Sequence, residues 1–205
     1  MILLVAFAVT LASVPLCGGR LSRLGHLELR YSWLIVSALV IQTAVISVFP
    51  EIGAGPRNAI HLGTYAMAAG FLVINRRLPG MPFLAFGSAA NLAAIVANGG
   101  VMPASAWATR VSGLTLPGDE FANSRMVEDP HLLFLGDVFA IPDSWPFSNV
   151  FSIGDVALVI GGAILIHTTC ETRLTRAGRA RAAGRADAPA AVGRAVGQTA
   201  SRSAR

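Results

Sequence analysis

The chain has 205 residues, of which 54% are hydrophobic and only 13% charged, and its formal net charge is +5. Soluble domains carry about a quarter charged residues, so a composition this apolar argues against an ordinary water-soluble enzyme and for a membrane protein. All 16 basic residues are arginine and eight lie in the last 33 positions, so the basicity belongs to the C-terminal end and does not indicate a nucleic-acid-binding domain.

The first apolar stretch, 2–17, has no basic segment before it, and Arg20, Arg23 and Arg30 follow it. That order is the reverse of a cleavable signal, so the stretch is expected to persist as a first helix. Four more stretches approach the roughly 20 apolar residues of a membrane span: 32–49, 58–75, 81–98 and 150–169. Together the five predict an all-α, polytopic membrane protein with about five transmembrane helices. The arginines orient it. Arg20, Arg23 and Arg30 follow the first stretch, Arg76 and Arg77 separate the third from the fourth, and eight arginines follow the fifth. Basic loops face the cytoplasm, which puts the N-terminus outside and the C-terminus inside a bacterial cytoplasmic membrane. Residues 1–169 then form the transmembrane domain and 99–149 an outer segment, in which six acids stand against two arginines. Within it, "HLLFLGDVFAIP" (131–142) is too short to span and reads as a re-entrant or interfacial helix, or as the buried part of an outer cap. Residues 170–205, rich in arginine, alanine and glycine, lack the apolar content to fold and are expected to be disordered. The partners this implies are the lipid bilayer and, for the arginine tail, anionic lipid headgroups. The tail has no aromatic residues to stack on bases, which excludes nucleic acid.

Three groups of residues are candidates for a site. "NLAAIVANGGVMP" (91–103) places Asn91 and Asn98 seven apart on one helix face, where asparagines seek hydrogen-bond partners on other helices. Gly99 and Gly100 then end that helix. Their function is either architecture or a turn presenting backbone groups to a ligand. Second, two Gly-Asp-Val tripeptides place Asp137 and Asp155 18 residues apart. If both acids reach one end of the bundle, one pKa rises and the pair suits acid–base hydrolysis. The competing reading is a capping box, with Ser152 as N-cap and Asp155 at the third helical position. Third, Gln42 is expected to bond between helices. Cys17 and Cys170 read as buried apolar residues. His61 and His167 fall at opposite ends of their helices, so no metal site is expected, and no cofactor motif is present.

"NLAAIVANGGVMP", "LLFLGDVFAIP" and "VFSIGDVALVIGGAIL" together resemble a bacterial family of small multi-pass membrane proteins, domain of unknown function 5317. That resemblance implies fold and location and carries no chemistry. Residues 132–168 alone are also similar to the C-terminal part of lipoprotein signal peptidases, which would make Asp137 and Asp155 a catalytic pair. Val138 stands where that family has arginine, and Asn149 lies six residues before Asp155 instead of three. Three functions follow as expectations: a structural or partner- and ligand-binding protein with its site at the outer mouth, an intramembrane aspartic hydrolase, or a small-molecule transporter. The third lacks the mid-membrane charge that transporters place on their path.

Overall fold

A computed structural model describes residues 2–47, 54–114, 124–125, 127 and 129–177. Six α-helices carry the fold: α1 (Ile2–Leu16), α2 (Trp33–Ser47), α3 (Ala54–Ile74), α4 (Met81–Ala97), α5 (Ala106–Ser112) and α6 (Ile153–Thr169). A six-residue 3-10 helix, Leu21–His26, follows α1, and a shorter one, Leu133–Leu135, precedes the last strands. Helices therefore form at all five apolar stretches, and α5 adds a sixth inside the segment expected to lie outside. Ser105 starts α5, its Oγ accepting the Ala108 N–H at 3.1 Å.

The polytopic membrane architecture is not what these helices make. Among the described residues, no helix is long and apolar enough to cross a membrane. At 1.5 Å per residue, the 15 residues of α1 and α2 and the 17 of α4 and α6 fall short of a hydrocarbon core about 30 Å thick. The 21-residue α3 has the length, but it opens "AGPRNAIHLGT". The apolar runs are shortened at their ends by glycine turns. At α1, Gly18 has φ +69°, and the N–H groups of Gly18 and Gly19 bond the carbonyls of Pro15 and Val14 at 2.9 Å. At α4, Gly99 has φ +69°, with Gly100 N–H bonding Ile95 O at 2.8 Å. Both are Schellman closures, in which the residue past the cap takes the left-handed conformation that glycine accepts without cost.

The tightest packing is between α4 and α6, which run antiparallel. Gly80 meets Gly161, and Gly87 meets Gly154. Gly80 and Gly87 are seven residues apart, as are Gly154 and Gly161, so the two glycines of each helix lie on one face. A Cβ on Gly87 would lie 2.5 Å from Gly154 O, and one on Gly161 would lie 2.8 Å from Gly80 O. Glycine is thus the side chain that lets these two backbones approach. α1 packs on the C-terminal half of α6 through Val14, Ile166 and Cys170, with Leu11 and Leu24 at the margin. α2 is joined to α3 by Gln42 Nε2, which donates to Thr64 Oγ1 at 2.7 Å, the interhelical bond expected of Gln42.

Between α4 and α6 the chain folds outside the helical layer. β1 (Met102–Pro103) pairs in parallel with β2 (Ser124–Arg125). β3 (Phe139–Ile141) and β4 (Asn149–Phe151) form an antiparallel pair, in which the Phe139 and Phe151 rings stack at 5.4 Å. Residues 131–142 are accordingly a 3-10 turn and a strand, not a re-entrant or interfacial helix. The β-branched and aromatic residues of "VFAI" (138–141) suit a strand.

Residues 170–177, counted in the tail expected to be disordered, pack on the helices. Cys170 and Thr172 are fully buried, and a helical turn covers 173–177. Arg20 N–H bonds Cys170 O at 3.1 Å, and Arg173 N–H bonds Cys17 O at 3.0 Å. These backbone bonds and the Thr172 methyl, which touches the space beside Gly19, seat the segment on the end of α1. Residues 178–205 lie outside the described part of the chain.

Candidate functional site

Asn91, Ser152 and Asp155 come together where α4 meets the start of α6. Ser152, fully buried, is the N-cap of α6: its Oγ accepts the Asp155 N–H at 3.0 Å, and its own N–H bonds Asp155 Oδ2 at 3.1 Å. Both arms of the capping box are closed. Across the interface, Asn91 Nδ2 donates to Asp155 Oδ1 at 2.9 Å, and Ser152 Oγ–H donates to Asn91 Oδ1 at 2.8 Å. The result is a ring of hydrogen bonds in which every side-chain oxygen has a donor. Gly154 makes room for it, because a Cβ there would overlap the Asn91 amide. Asp155 thus caps its helix and also bonds the neighbouring helix.

Asn98 works in a similar way as the C-cap of α4. Its Oδ1 accepts the His131 N–H at 2.9 Å, and its Nδ2 donates to the carbonyls of His131 and Ala94, each at 2.7 Å. The side-chain amide therefore pairs with a backbone amide as a strand neighbour would, and it ties residue 131 to the helix end. Gly99 and Gly100 complete the turn. No atom lies within 4 Å of a Cβ built on Gly99, so this glycine serves its backbone angle and not a close contact.

Asp137 is buried, with 4% of its surface exposed. Its backbone is laced to the strand after α4: its N–H bonds Pro103 O at 2.9 Å, and its carbonyl accepts the Ser105 N–H at 3.1 Å. Asp155 directs its hydrogen bonds to Asn91 and Ser152, and among the described residues no hydrogen bond joins it to Asp137. The structure therefore gathers Asn91, Ser152 and Asp155 in one network, sets Asn98 with Gly99 and Gly100 in a second, and bonds the Asp137 backbone to Pro103 and Ser105.

Sequence reasoning missed Asn75. It is 4% exposed, its Oδ1 accepts the Arg30 N–H at 3.0 Å, and its Nδ2 donates to Arg30 O and Phe71 O, each at 2.9 Å. This is the Asn98 arrangement repeated at the end of α3. The signal was present: in "VINRR", as in "VANGG", a single asparagine closes an apolar helical run. His167 was also assigned too little. Its Nε2 lies 3.1 Å from Ser13 Oγ and its Nδ1 lies 3.2 Å from Thr172 Oγ1, so it links α1 to the segment after α6. Cys170 is a buried free thiol; burial pushes its pKa up, against the opposing pull of the Arg23 guanidinium. Among the described residues, no group of three histidine, cysteine or acidic side chains is placed to hold a metal.

No curated protein and no solved structure matches the chain significantly, and the local similarity of 132–168 to lipoprotein signal peptidases is not shown. The model of a family of unknown function, DUF5317, matches residues 26–167. That is more than half of the chain and includes both asparagine clamps and the α6 capping box, and the protein belongs to this family.

Proposed function

We propose that the protein is a lipid-associated scaffold, in which the apolar flanks of the helices contact acyl chains and the asparagine networks hold the 101–151 segment on the helical layer. The observation that carries this reading is the exposure of large apolar side chains along successive helices. Leu4 on α1, Leu39 on α2 and Val96 on α4 are each more than 60% exposed. Such surface is costly in water, at about 25 cal/mol per Å², and contiguous exposed apolar area marks an interaction surface. Trp107 on α5, and Phe134 and Trp145 between α5 and α6, are exposed as well. Aromatic rings of this kind suit the boundary between acyl chains and water.

The polar networks support architecture over catalysis. A hydrolytic pair needs an acid whose oxygens are open to water and to a second acid, whereas both Asp155 oxygens accept N–H groups. The test is flotation of the purified full-length chain with phosphatidylcholine vesicles, compared with its behaviour in detergent-free buffer. Co-flotation, with aggregation when detergent and lipid are both removed, is expected. A monodisperse chain that stays at the bottom of the gradient would overturn the reading. Fractionation of cells that make the protein should recover it with the bacterial cytoplasmic membrane.

A further inference from the structure

At the end of the molecule opposite the Asp155 network, Arg20, Ser22, Arg23, His26 and Thr169 line an open depression. Its shape follows from the 3-10 helix Leu21–His26, which has Arg20 at its N-cap. A 3-10 helix has three residues per turn, so side chains three apart eclipse one another. Arg20, Arg23 and His26 therefore form a single row, facing the end of α6, where Thr169 closes the other wall. Arg23 pairs with Glu171. Among the described residues, the side chains of Arg20, Ser22, His26 and Thr169 make no hydrogen bond or ion pair. Two guanidinium groups, an imidazole and two hydroxyls thus converge on one space, with a single carboxylate between them that is bound to one of the two arginines.

The geometry points to a binding site for a phosphate-bearing anion in this depression. Planar guanidinium forks match phosphate oxygens in two-point contacts, and hydroxyl donors suit the remaining oxygens. Arg23 lines the depression even though one of its nitrogens is paired with Glu171. The site is separate from the C-terminal arginines, because every residue in it precedes residue 170. The same chemistry fits a phospholipid headgroup or a free phosphate compound, and the site does not depend on the scaffold reading above.

The experiment uses the full-length chain in a neutral detergent and two probes: inorganic phosphate, followed by 31P line broadening, and phosphatidylglycerol vesicles compared with phosphatidylcholine vesicles. The variant is Arg20→Gln/His26→Gln, which leaves the Arg23–Glu171 pair and the tail intact; an unchanged melting temperature certifies its fold. Phosphate binding that the variant weakens about tenfold or more supports a site for soluble phosphates. Preference for phosphatidylglycerol that the variant loses, without measurable binding of free phosphate, supports a headgroup site. If the parent binds neither probe, or the variant binds both as the parent does, the proposal fails. Should the double variant not fold, Arg20→Gln alone, on an exposed side chain, decides by the same readouts.

Discussion

Replacing Ser152 with alanine removes one oxygen from a fully buried position and breaks two hydrogen bonds at once. The first is the N-cap bond to the Asp155 N–H at 3.0 Å, and loss of an N-cap costs about 0.5–2 kcal/mol. The second is the donation to Asn91 Oδ1 at 2.8 Å. Without it the Asn91 oxygen is an acceptor with no donor at the α4–α6 interface, a cost of about 1–3 kcal/mol. A total near 2–4 kcal/mol corresponds to a fall in melting temperature of roughly 5–10 °C for a chain of this size. Asp155→Asn should cost less. It loses the charge at the helix N-terminus, about 0.3–1 kcal/mol. Its one remaining oxygen must also serve either Asn91 Nδ2 or the Ser152 N–H. Asn91→Asp should be the worst of the three, because it sets a second carboxylate against Asp155 in place of a donor, and acidification should partly restore it. The assay is thermal unfolding of the four proteins in the same neutral detergent. If Asp155→Asn melts at or above the parent, the acid is held at a cost instead of stabilising the fold, and the architectural account of this network is wrong.

The glycine interface makes a paired prediction. Gly154→Ala should separate α4 from α6 and cost at least 2 kcal/mol or so, as overpacked sites do. Gly162→Ala, with nothing within 4 Å of the new Cβ, should be neutral or stabilise by about 0.5–1 kcal/mol through helix propensity; melting temperatures of the two test the pairing. Asn75→Ala should unfold more easily than Asn98→Ala, because the Asn75 side chain is buried whereas the Asn98–His131 bonds are exposed; chemical denaturation ranks them. Glu171 holds φ +49°, a left-handed angle that costs a non-glycine residue about 1–2 kcal/mol. Its pairing with Arg23 is half-exposed and worth at most about 1 kcal/mol, so Glu171→Gly should raise the melting temperature slightly. Cys170, 1% exposed and with its thiol pKa raised by burial, should resist alkylation in the native state while Cys17 reacts, as mass spectrometry of a timed iodoacetamide reaction would show.

The helices were legible in the sequence because each is an apolar run bounded by strong punctuation: "CGG" after α1, "NGG" after α4 and the Ser-x-x-Asp box before α6. Their ability to span a membrane was not, because counting apolar residues gives no account of where a glycine turn ends the helix. Residues 17 and 98 counted toward spans, yet Cys17 and Asn98 are cap positions, and each residue lost from a helix shortens it by about 1.5 Å. The helix-packing glycines were half legible. Glycines stand in several of the apolar stretches, yet Gly63 and Gly162 face open space whereas Gly161 meets Gly80. The feature that distinguishes the true set is the matched seven-residue spacing of Gly80 with Gly87 and of Gly154 with Gly161. Segment 131–142 was misread because its apolar content was weighed without Gly136-Asp137, which divides it into a 3-10 turn and a strand. The Asp137–Asp155 grouping rested on shared tripeptides, and these do not reveal local roles: Asp155 caps a helix, whereas Asp137 sits in a strand-like bridge with Ala104.

The same device recurs wherever this chain must pass from a helix to something else. A helix end leaves carbonyls and a trailing strand without partners, and an apolar surround cannot supply them. Asn75 and Asn98 solve that at the ends of α3 and α4, by offering to a distant backbone amide the donor and acceptor that a strand would. Ser152 and Asp155 solve it at the start of α6, with Asn91 joining the cap to the facing helix. At the far end of α6 the task falls to His167, with Ser13 on one ring nitrogen and Thr172 on the other. Six polar side chains that would be candidates for chemistry on composition alone are thus accounted for by helix termini. That leaves Arg20, His26, Ser22 and Thr169 as a group whose donors converge without a structural task, and it is why the phosphate site is sought there and not at the aspartates.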